Sequence, residues 1–307
     1  MGKSRHGGTV STDLARWIDR LWIGDCLSGL ESMPAGSVNL AFADPPFNIG
    51  FEYDTYHDHR SDEEYLEWCH SWMRQVHRLL KPNGTLWVAM GDEYVAELKV
   101  LLTHELGFHL RSWVVWYYTF GQNCRRNFSR SHTHLLYLVK DPQKFTFNHG
   151  DPRLRVPSAR QRIYHDSRGN PSGRLPDNTW ILRPQEAPGS FGADEDTWHV
   201  PRVNGTFRER QGFHGCQMPE QVLGRIIRAC SHQADVVLDP FVGSGTTAVV
   251  AKKLKRHFVG FEESTEYANR ACERVREVHP GDPLAGTDVS VATSKGAGDD
   301  DRQSKLF

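Results

Sequence analysis

No apolar run in the 307-residue sequence is long enough to span a membrane, and no signal-peptide pattern opens it. A soluble chain of the cytoplasm is therefore expected. Charge of one dominant sign is also missing. Lys+Arg 37 against Asp+Glu 38 leaves a formal net charge of −1, which excludes a chain that is basic throughout, so any nucleic-acid contact must come from a local patch. The six cysteines, Cys26, Cys69, Cys124, Cys216, Cys230 and Cys272, include no C-x-x-C pair, and read as free thiols in a reducing compartment. Histidine is plentiful, but His57, His59 and His70 lack a recognisable ligand spacing, and no metal site is expected. Core-forming residues are not scarce: hydrophobic content is 38% with 9 Trp, on a chain whose length fits one large or two small domains.

Two stretches carry chemistry. The first, Asp44-Pro45-Pro46-Phe47-Asn48-Ile49-Gly50, follows the apolar run Val38 to Ala43, which reads as a buried strand. Paired prolines cannot continue a ladder, so the strand stops at Asp44. A carboxylate, a stiff turn and an aromatic ring then sit at a strand's C-terminal end, the edge where open α/β sheets bind ligands. Asp44 can accept a hydrogen bond from an amine, the Pro45 carbonyl can accept a second, and Phe47 offers a flat apolar face. The set suits a planar heterocycle carrying an exocyclic amine. It equally describes a tight turn with a capping Asp and a core Phe.

The second stretch, Val236-Val237-Leu238-Asp239-Pro240-Phe241-Val242-Gly243-Ser244-Gly245-Thr246-Thr247, reads as strand, glycine turn and helix start. Its glycines allow close approach of backbone to a ligand, and a helix N-terminus favours an anionic group. Gly243-x-Gly245-x-x-Ala248 matches the nucleotide-binding fingerprint, and the absence of a following Gly-Lys-Ser/Thr excludes a phosphate-binding P-loop. The next strand ends at Glu262-Glu263, about 20 residues past the glycines, where a carboxylate suits ribose hydroxyls.

As a pair, DPPFN and DPFVGSGTT resemble the S-adenosylmethionine-dependent amino-methyltransferases of DNA. Their order, catalytic motif first and cofactor motif last, resembles the β group of that family. The resemblance runs from roughly Trp22 to Val278 around a poorly matched middle. It implies an α/β fold with a doubly wound, mostly parallel sheet, a Rossmann-like methyltransferase fold with permuted motif order and an irregular target-recognition insertion. It implies catalytic roles for Asp44, Pro45, Pro46 and Phe47. It further implies S-adenosyl-L-methionine as cofactor, held by Asp25, Asp44, Phe241, Gly243, Ser244, Gly245, Thr246 and Glu262. Asp25 has two readings, a cap on the helical turn that follows it or a partner for the cofactor's adenine amine. The implied partner is double-stranded DNA, with a homodimer and a cognate restriction endonuclease as further partners and no membrane.

The rest of the chain divides around these motifs. Residues 13–140 read as the catalytic half, 141–213 as the target-recognition region, 214–279 as the cofactor-binding half and 280–307 as a disordered tail. Ile49 to Arg60 is a candidate lid. Ser61 with Glu64 forms a capping-box pattern before a helix to Leu80, which the turn Lys81-Pro82-Asn83-Gly84 ends. Segment 121–130 either lines a base pocket or forms a basic hairpin loop; the family's usual His-Glu pair reads His132-Thr133. Residues 141–213 are rich in Pro, Gly and Arg, and read either as a recognition element or as an irregular insertion. Asn48, Arg125, Arg126, Arg153, Arg155, Arg160 and Arg162 are the candidate DNA contacts.

The expected activity is methyl transfer to the N6 amine of adenine in DNA, with the base flipped out of the duplex. Asp-Pro-Pro-Phe/Tyr resembles the adenine enzymes, whereas Ser-Pro-Pro-Tyr is more typical of cytosine-N4 enzymes. A cytosine-N4 enzyme, an NAD-dependent oxidoreductase and an inactive DNA-binding module are the alternatives. Every reading that uses both motifs requires Asp44 and Gly243, distant in sequence, to lie on adjacent strand ends.

Overall fold

The computed structural model describes residues 12–51, 58–122, 126, 128, 130–155, 168, 170, 171, 173–181, 210–213 and 216–286. Its centre is an eight-stranded sheet. The elements in order are α1 (Thr12–Ala15), β1 (Arg20–Ile23), α2 (Cys26–Ser32), β2 (Val38–Ala43), α3 (Asp62–Leu79), β3 (Leu80–Met90), and α4 (Val95–Val100), which a π-turn extends over Leu101–Glu105. They continue with β4 (His109–Gln122), β5 (Arg130–Val139), β6 (Thr179–Ile181), α5 (Glu220–Cys230), β7 (Val236–Asp239), α6 (Thr246–Lys253), β8 (His257–Glu262) and α7 (Thr265–Glu277).

The strand order is β1-β8-β7-β2-β3-β5-β4-β6. From β1 to β3 every pairing is parallel, and β5 then joins β3 and β4 antiparallel. The sheet is thus mostly parallel and doubly wound. Parallel central strands must be covered on both faces, and their side chains divide accordingly. Ala41, Ala43, Leu86, Val88, Leu238 and Phe261 join one buried cluster with α2 and α3. Leu40, Phe42, Trp87, Ala89, Val237 and Phe258 join the other with α5 and α6. This is the period-two alternation of a pleated strand.

The requirement on the two motifs is met, because β2 pairs directly with β7 in parallel register, Leu40 opposite Val237 and Ala41 opposite Leu238. Helix α3 starts where the capping box places it: Ser61 Oγ accepts from Glu64 N and the Glu64 carboxylate accepts from Ser61 N. Its end differs slightly from expectation. The Lys-Pro-Asn-Gly segment is an excursion inside β3, where the pairing with β2 jumps from Val38–Leu80 to Leu40–Thr85. Asn39 pins this excursion by accepting from Lys81 Nζ at 3.0 Å and from Val236 N at 3.1 Å, joining three neighbouring strands.

Two boundaries move. Residues 280–286 do not belong to a tail. Leu284 packs against the α5 side of the core, and Ala285 N donates to the Glu220 carboxylate at 2.7 Å. The first part of 141–213 is likewise built into the body, with Leu154 in the core, Phe145 and Phe147 packed against it, and Asn148 Nδ2 donating to the carbonyls of Arg228 and Ser231. Among the described residues no helix is long and apolar enough to cross a membrane.

Candidate active site

β2 ends in the middle of the sheet, so the Asp44-Pro45-Pro46-Phe47 turn emerges at the carboxyl edge between β7 and β3. Two anchors fix the turn. Tyr65 of α3 is fully buried and its hydroxyl donates to the Pro46 carbonyl at 2.6 Å. Asn48 takes a left-handed φ of 57°, a conformation that short polar side chains tolerate better than others. Its amide donates to Arg60 O at 3.0 Å and Tyr94 Oη at 2.9 Å, while its carbonyl oxygen accepts from Arg60 N at 2.7 Å. The buried Asp58 carboxylate closes the neck of the same loop by accepting from the backbone N–H groups of Asn48, Ile49 and Phe51. The base of the candidate lid is therefore clamped; its residues 52–57 lie outside the described residues.

β7 ends one strand away. Asp239 is nearly fully buried and its Oδ1 accepts from Phe241 N at 2.9 Å, which starts the turn. Burial pushes its carboxyl up to about 6, against the hydrogen bonds from Thr247 and the Phe241 backbone, with the Glu262 charge adding to the rise. Gly243 and Gly245 have positive φ, 49° and 81°. The Glu262 carboxylate accepts from Gly243 N at 2.7 Å and Ser264 N at 3.0 Å, and burial raises its carboxyl despite these bonds. Beneath the turn, Arg274 of α7 donates to the Ser244 carbonyl at 2.5 Å and lies 3.9 Å from Glu220, which pairs with Lys253 at 2.8 Å. All three charged side chains are buried.

These turns share one cleft of about 480 Å³, within the roughly 300–1,000 Å³ of small-ligand sites. On the β1–β8–β7 side its lining includes Asp25, Phe241, Gly243, Ser244, Thr246 and Glu262; Asp44, Pro45, Pro46 and Phe47 are central; Asp92, Arg130, His132 and Thr133 line the β3–β5 side. Phe241 is wedged against Trp68 and Trp72, at ring-centroid distances of 5.5 and 5.3 Å. The cleft also reaches Cys26, whose thiol burial pushes upward, so it is a poor nucleophile.

The four residues expected to be catalytic, Asp44, Pro45, Pro46 and Phe47, and seven of those expected at the cofactor, Asp25, Asp44, Phe241, Gly243, Ser244, Thr246 and Glu262, therefore come together in one cavity. Gly245 stands just behind it, where a Cβ would lie 2.8 Å from Ala271 Cβ. Asp25 does cap α2, accepting from Ser28 N at 3.0 Å, and it faces the cleft as well. The residues expected at DNA are placed differently. The Asn48 side chain is held by Arg60 and Tyr94. Arg153 chelates Asp151, and Arg155 donates to the carbonyls of His149 and Gly173. Arg126 is exposed, while Arg125, Arg160 and Arg162 lie outside the described residues. Three residues that line or support the cleft carry no sequence signal of their own: Tyr65, which reads as one member of a core stripe and holds Pro46 from behind, and the cleft-lining Asp92 with its partner His134, which are separated in sequence.

The geometry sets a glycine turn beside the Asp44-Pro45-Pro46-Phe47 turn in one cleft. The DNA methylase family model (N6_N4_Mtase) matches residues 38–273, and the chain belongs to this family of DNA amino-methyltransferases. It is 36% identical over 256 residues to type II methyltransferase M.HpaI of Haemophilus parainfluenzae, covering 83% of this chain and 74% of that protein. It is 34% identical over 253 residues to the DNA adenine methyltransferase YhdJ of Escherichia coli K12, covering 82% and 81%. Among solved structures it resembles the PvuII DNA methyltransferase (cytosine-N4-specific), with a TM-score of 0.59 and 20% identity over 83% of this chain and 85% of that one. It also resembles the DNA modification methylase TTHA0409 of Thermus thermophilus in complex with S-adenosyl-L-methionine, with a TM-score of 0.56 and 23% identity over 87% and 99%. The cofactor is S-adenosyl-L-methionine and the substrate is DNA. The cleft fits that cofactor in its volume, its glycine turn, its half-buried carboxylate at Glu262 and the aromatic face of Phe241.

Proposed function

We propose that the chain methylates the exocyclic N6 amine of adenine in double-stranded DNA, with the target base flipped out of the helix. The observation that carries this reading is the placement of Asp44 and the glycine turn on directly paired parallel strands that open into one cleft. The cofactor supplies an electrophilic methyl group; the chain supplies binding and orientation. An exocyclic amine is a poor nucleophile because its lone pair is delocalised into the ring. The Asp44 carboxylate and the Pro45 carbonyl accept its two N–H bonds and favour a more tetrahedral nitrogen. Phe47 stacks on the extruded base. Asp25 and Glu262 bind the cofactor's adenine amine and ribose hydroxyls, and Gly243 to Thr246 let the backbone approach it closely.

Adenine is favoured by the Asp-Pro-Pro-Phe tetrad and by the 34% identity to a protein named as a DNA adenine methyltransferase. Residues 141–213 are assigned to target recognition from their position between the motifs. The type II names of two relatives favour a cognate restriction endonuclease in the same cytoplasm. The reading is tested with Asp44→Ala. It should abolish methyl transfer to DNA while leaving S-adenosylhomocysteine affinity within a few-fold of wild type. Near-normal turnover in this variant sinks the assignment.

A further inference from the structure

The β4–β5 ribbon carries a side chain that neither the cofactor nor the catalytic turn uses. β5 runs antiparallel to β3 and overshoots it: Met90, the last residue of β3, pairs with His134, whereas β5 begins at Arg130. The overhang of four residues, about 13 Å of strand, stands beyond the carboxyl edge of β3. β4 accompanies it as far as the pair Gln122–Arg130. Arg130, His132 and Thr133 of the overhang line the cleft.

This overhang is braced against the place assigned to the target base. Asp92 Oδ1, just past β3, lies 2.8 Å from His132 Nε2 and 2.9 Å from His134 Nε2. Arg130 pairs with Glu93 and lies 3.9 Å from Asp92. Glu93 in turn adjoins Phe47: a Cβ on Gly91 would stand 2.9 Å from Glu93 Oε2 and 3.2 Å from the Phe47 ring. The ring assigned to stacking on the base and the end of β5 are thus linked through Glu93 and Gly91.

Phe128 stands two residues before Arg130, which puts its Cα within about 7 Å of the Arg130 Cα, and its side chain is 100% exposed. A lone exposed aromatic ring needs no account by itself. Here charge and position supply one. In the lining of the cleft carboxyl groups outnumber arginines seven to two, an unfavourable surface for a polyanion, so DNA has to be held by cations at the rim. Arg125, Arg126 and Arg130 surround Phe128 in sequence, and Arg126 is exposed. An apolar ring among arginines suits a side chain that enters a base stack while its neighbours hold phosphates.

We infer that Phe128 is the wedge that enters the duplex where the target base leaves it. Extruding a base opens a gap in the stack and leaves its partner unpaired. A flat apolar ring at the rim of the base site fills that gap and keeps the base from returning. Arg126 holds the adjoining phosphates, and the Arg130–Glu93 pair ties the end of the ribbon to the Phe47 side of the cleft.

The inference rests on the base-flipping reading, and the wild-type protein separates the two. The methylated sequence is mapped on genomic DNA, and two duplexes of that sequence serve as probes. One is fully paired; the other has an abasic site opposite the target base, which removes the pairing that the wedge has to break. Single-turnover methylation of both is measured for wild type, Phe128→Ala and Phe128→Trp, together with the fluorescence of 2-aminopurine placed at the target position. S-adenosylhomocysteine binding, melting temperature and sedimentation without DNA are recorded in parallel. Wild type should raise the fluorescence on binding. Phe128→Ala should lose about tenfold or more in rate on the paired duplex and less than about threefold on the abasic one, because only the first demands unpairing. Its cofactor affinity and melting temperature should hold, and Phe128→Trp should keep most of the wild-type rate. Equal losses on both duplexes, or no loss on the paired one, overturn the wedge. So does a Phe128→Ala protein that sediments as a monomer where the wild type is a dimer, which makes the ring a contact between copies. A wild type that methylates DNA without raising the fluorescence removes the base-flipping reading instead.

Discussion

Gly243 donates its backbone N–H to the Glu262 carboxylate at 2.7 Å. The acid whose spacing points to ribose thus also shapes the glycine turn, tying the end of β8 to the end of β7. The cofactor contact proposed for Glu262 and the geometry of the turn thus depend on one side chain. Gly245 completes the arrangement at a φ of 81°, close enough to Ala271 that α7 packs directly on the turn.

Gly245→Ala should therefore disturb both packing and binding. A side chain in the left-handed region costs roughly 1–2 kcal/mol, and the clash with Ala271 adds to it. The expected outcome is a lower melting temperature together with about tenfold weaker S-adenosylhomocysteine binding by calorimetry, which corresponds to about 1.4 kcal/mol. Unchanged affinity would separate the turn from cofactor binding.

The buried trio Glu220, Lys253 and Arg274 supports the same turn from below. Removing the acid leaves two buried cations without their partner, which typically costs about 3–5 kcal/mol. Glu220→Ala should lose stability of that order in urea titrations. It should also release Ala285 N, detaching the segment that follows α7. A loss below about 1 kcal/mol, the scale of an exposed ion pair, would contradict the network's role.

Asp239 gives a pH signature. Its folded carboxyl is raised to about 6 from an ordinary value of 3.8, so between these values the folded state binds more proton than the unfolded one. This contribution to stability is fully present below pH 3.8 and is lost as pH rises through 6. Asp239→Asn keeps an oxygen for Phe241 N but cannot ionise. It should flatten the slope over that window and gain up to about 3 kcal/mol at high pH relative to wild type. Melts at several pH values check this, and a parallel slope in the variant would refute it.

Asn48 bears on the loop after the catalytic turn. Asn48→Ala removes its bonds to Arg60 and Tyr94 and leaves a Cβ residue at positive φ. A stability loss of about 2 kcal/mol is expected. Turnover should fall with little change in S-adenosylhomocysteine binding, because Asn48 directly follows Phe47 and its bonds run to Arg60 and Tyr94, not to the glycine turn. Weaker DNA binding with unchanged stability and turnover would show instead a direct contact to the duplex.

Both motifs were legible because each is local: an apolar strand, a residue that must end it, and chemistry at the break. The capping box at Ser61 and Glu64 was legible for the same reason. Sites assembled from distant residues were not. Asp92 meets His132 and His134 only because β5 turns back antiparallel beside β3. The Tyr65 hydroxyl reaches Pro46 from a helix whose periodicity announces only burial. The Arg-rich character of 141–213 pointed to DNA, yet Arg153 and Arg155 have their guanidinium groups on Asp151 and on backbone carbonyls, contacts that composition cannot reveal. The glycine-rich look of 280–286 similarly concealed the apolar anchor Leu284.

In the proposed reaction Asp44 and its turn act on the N6 amine of adenine. The most direct test is to incubate the protein with methyl-labelled S-adenosylmethionine and mixed genomic DNA, digest to nucleosides, and identify the labelled product by mass spectrometry. Label is expected in N6-methyladenine, dependent on Asp44. Label in N4-methylcytosine, with adenine unlabelled, would contradict it.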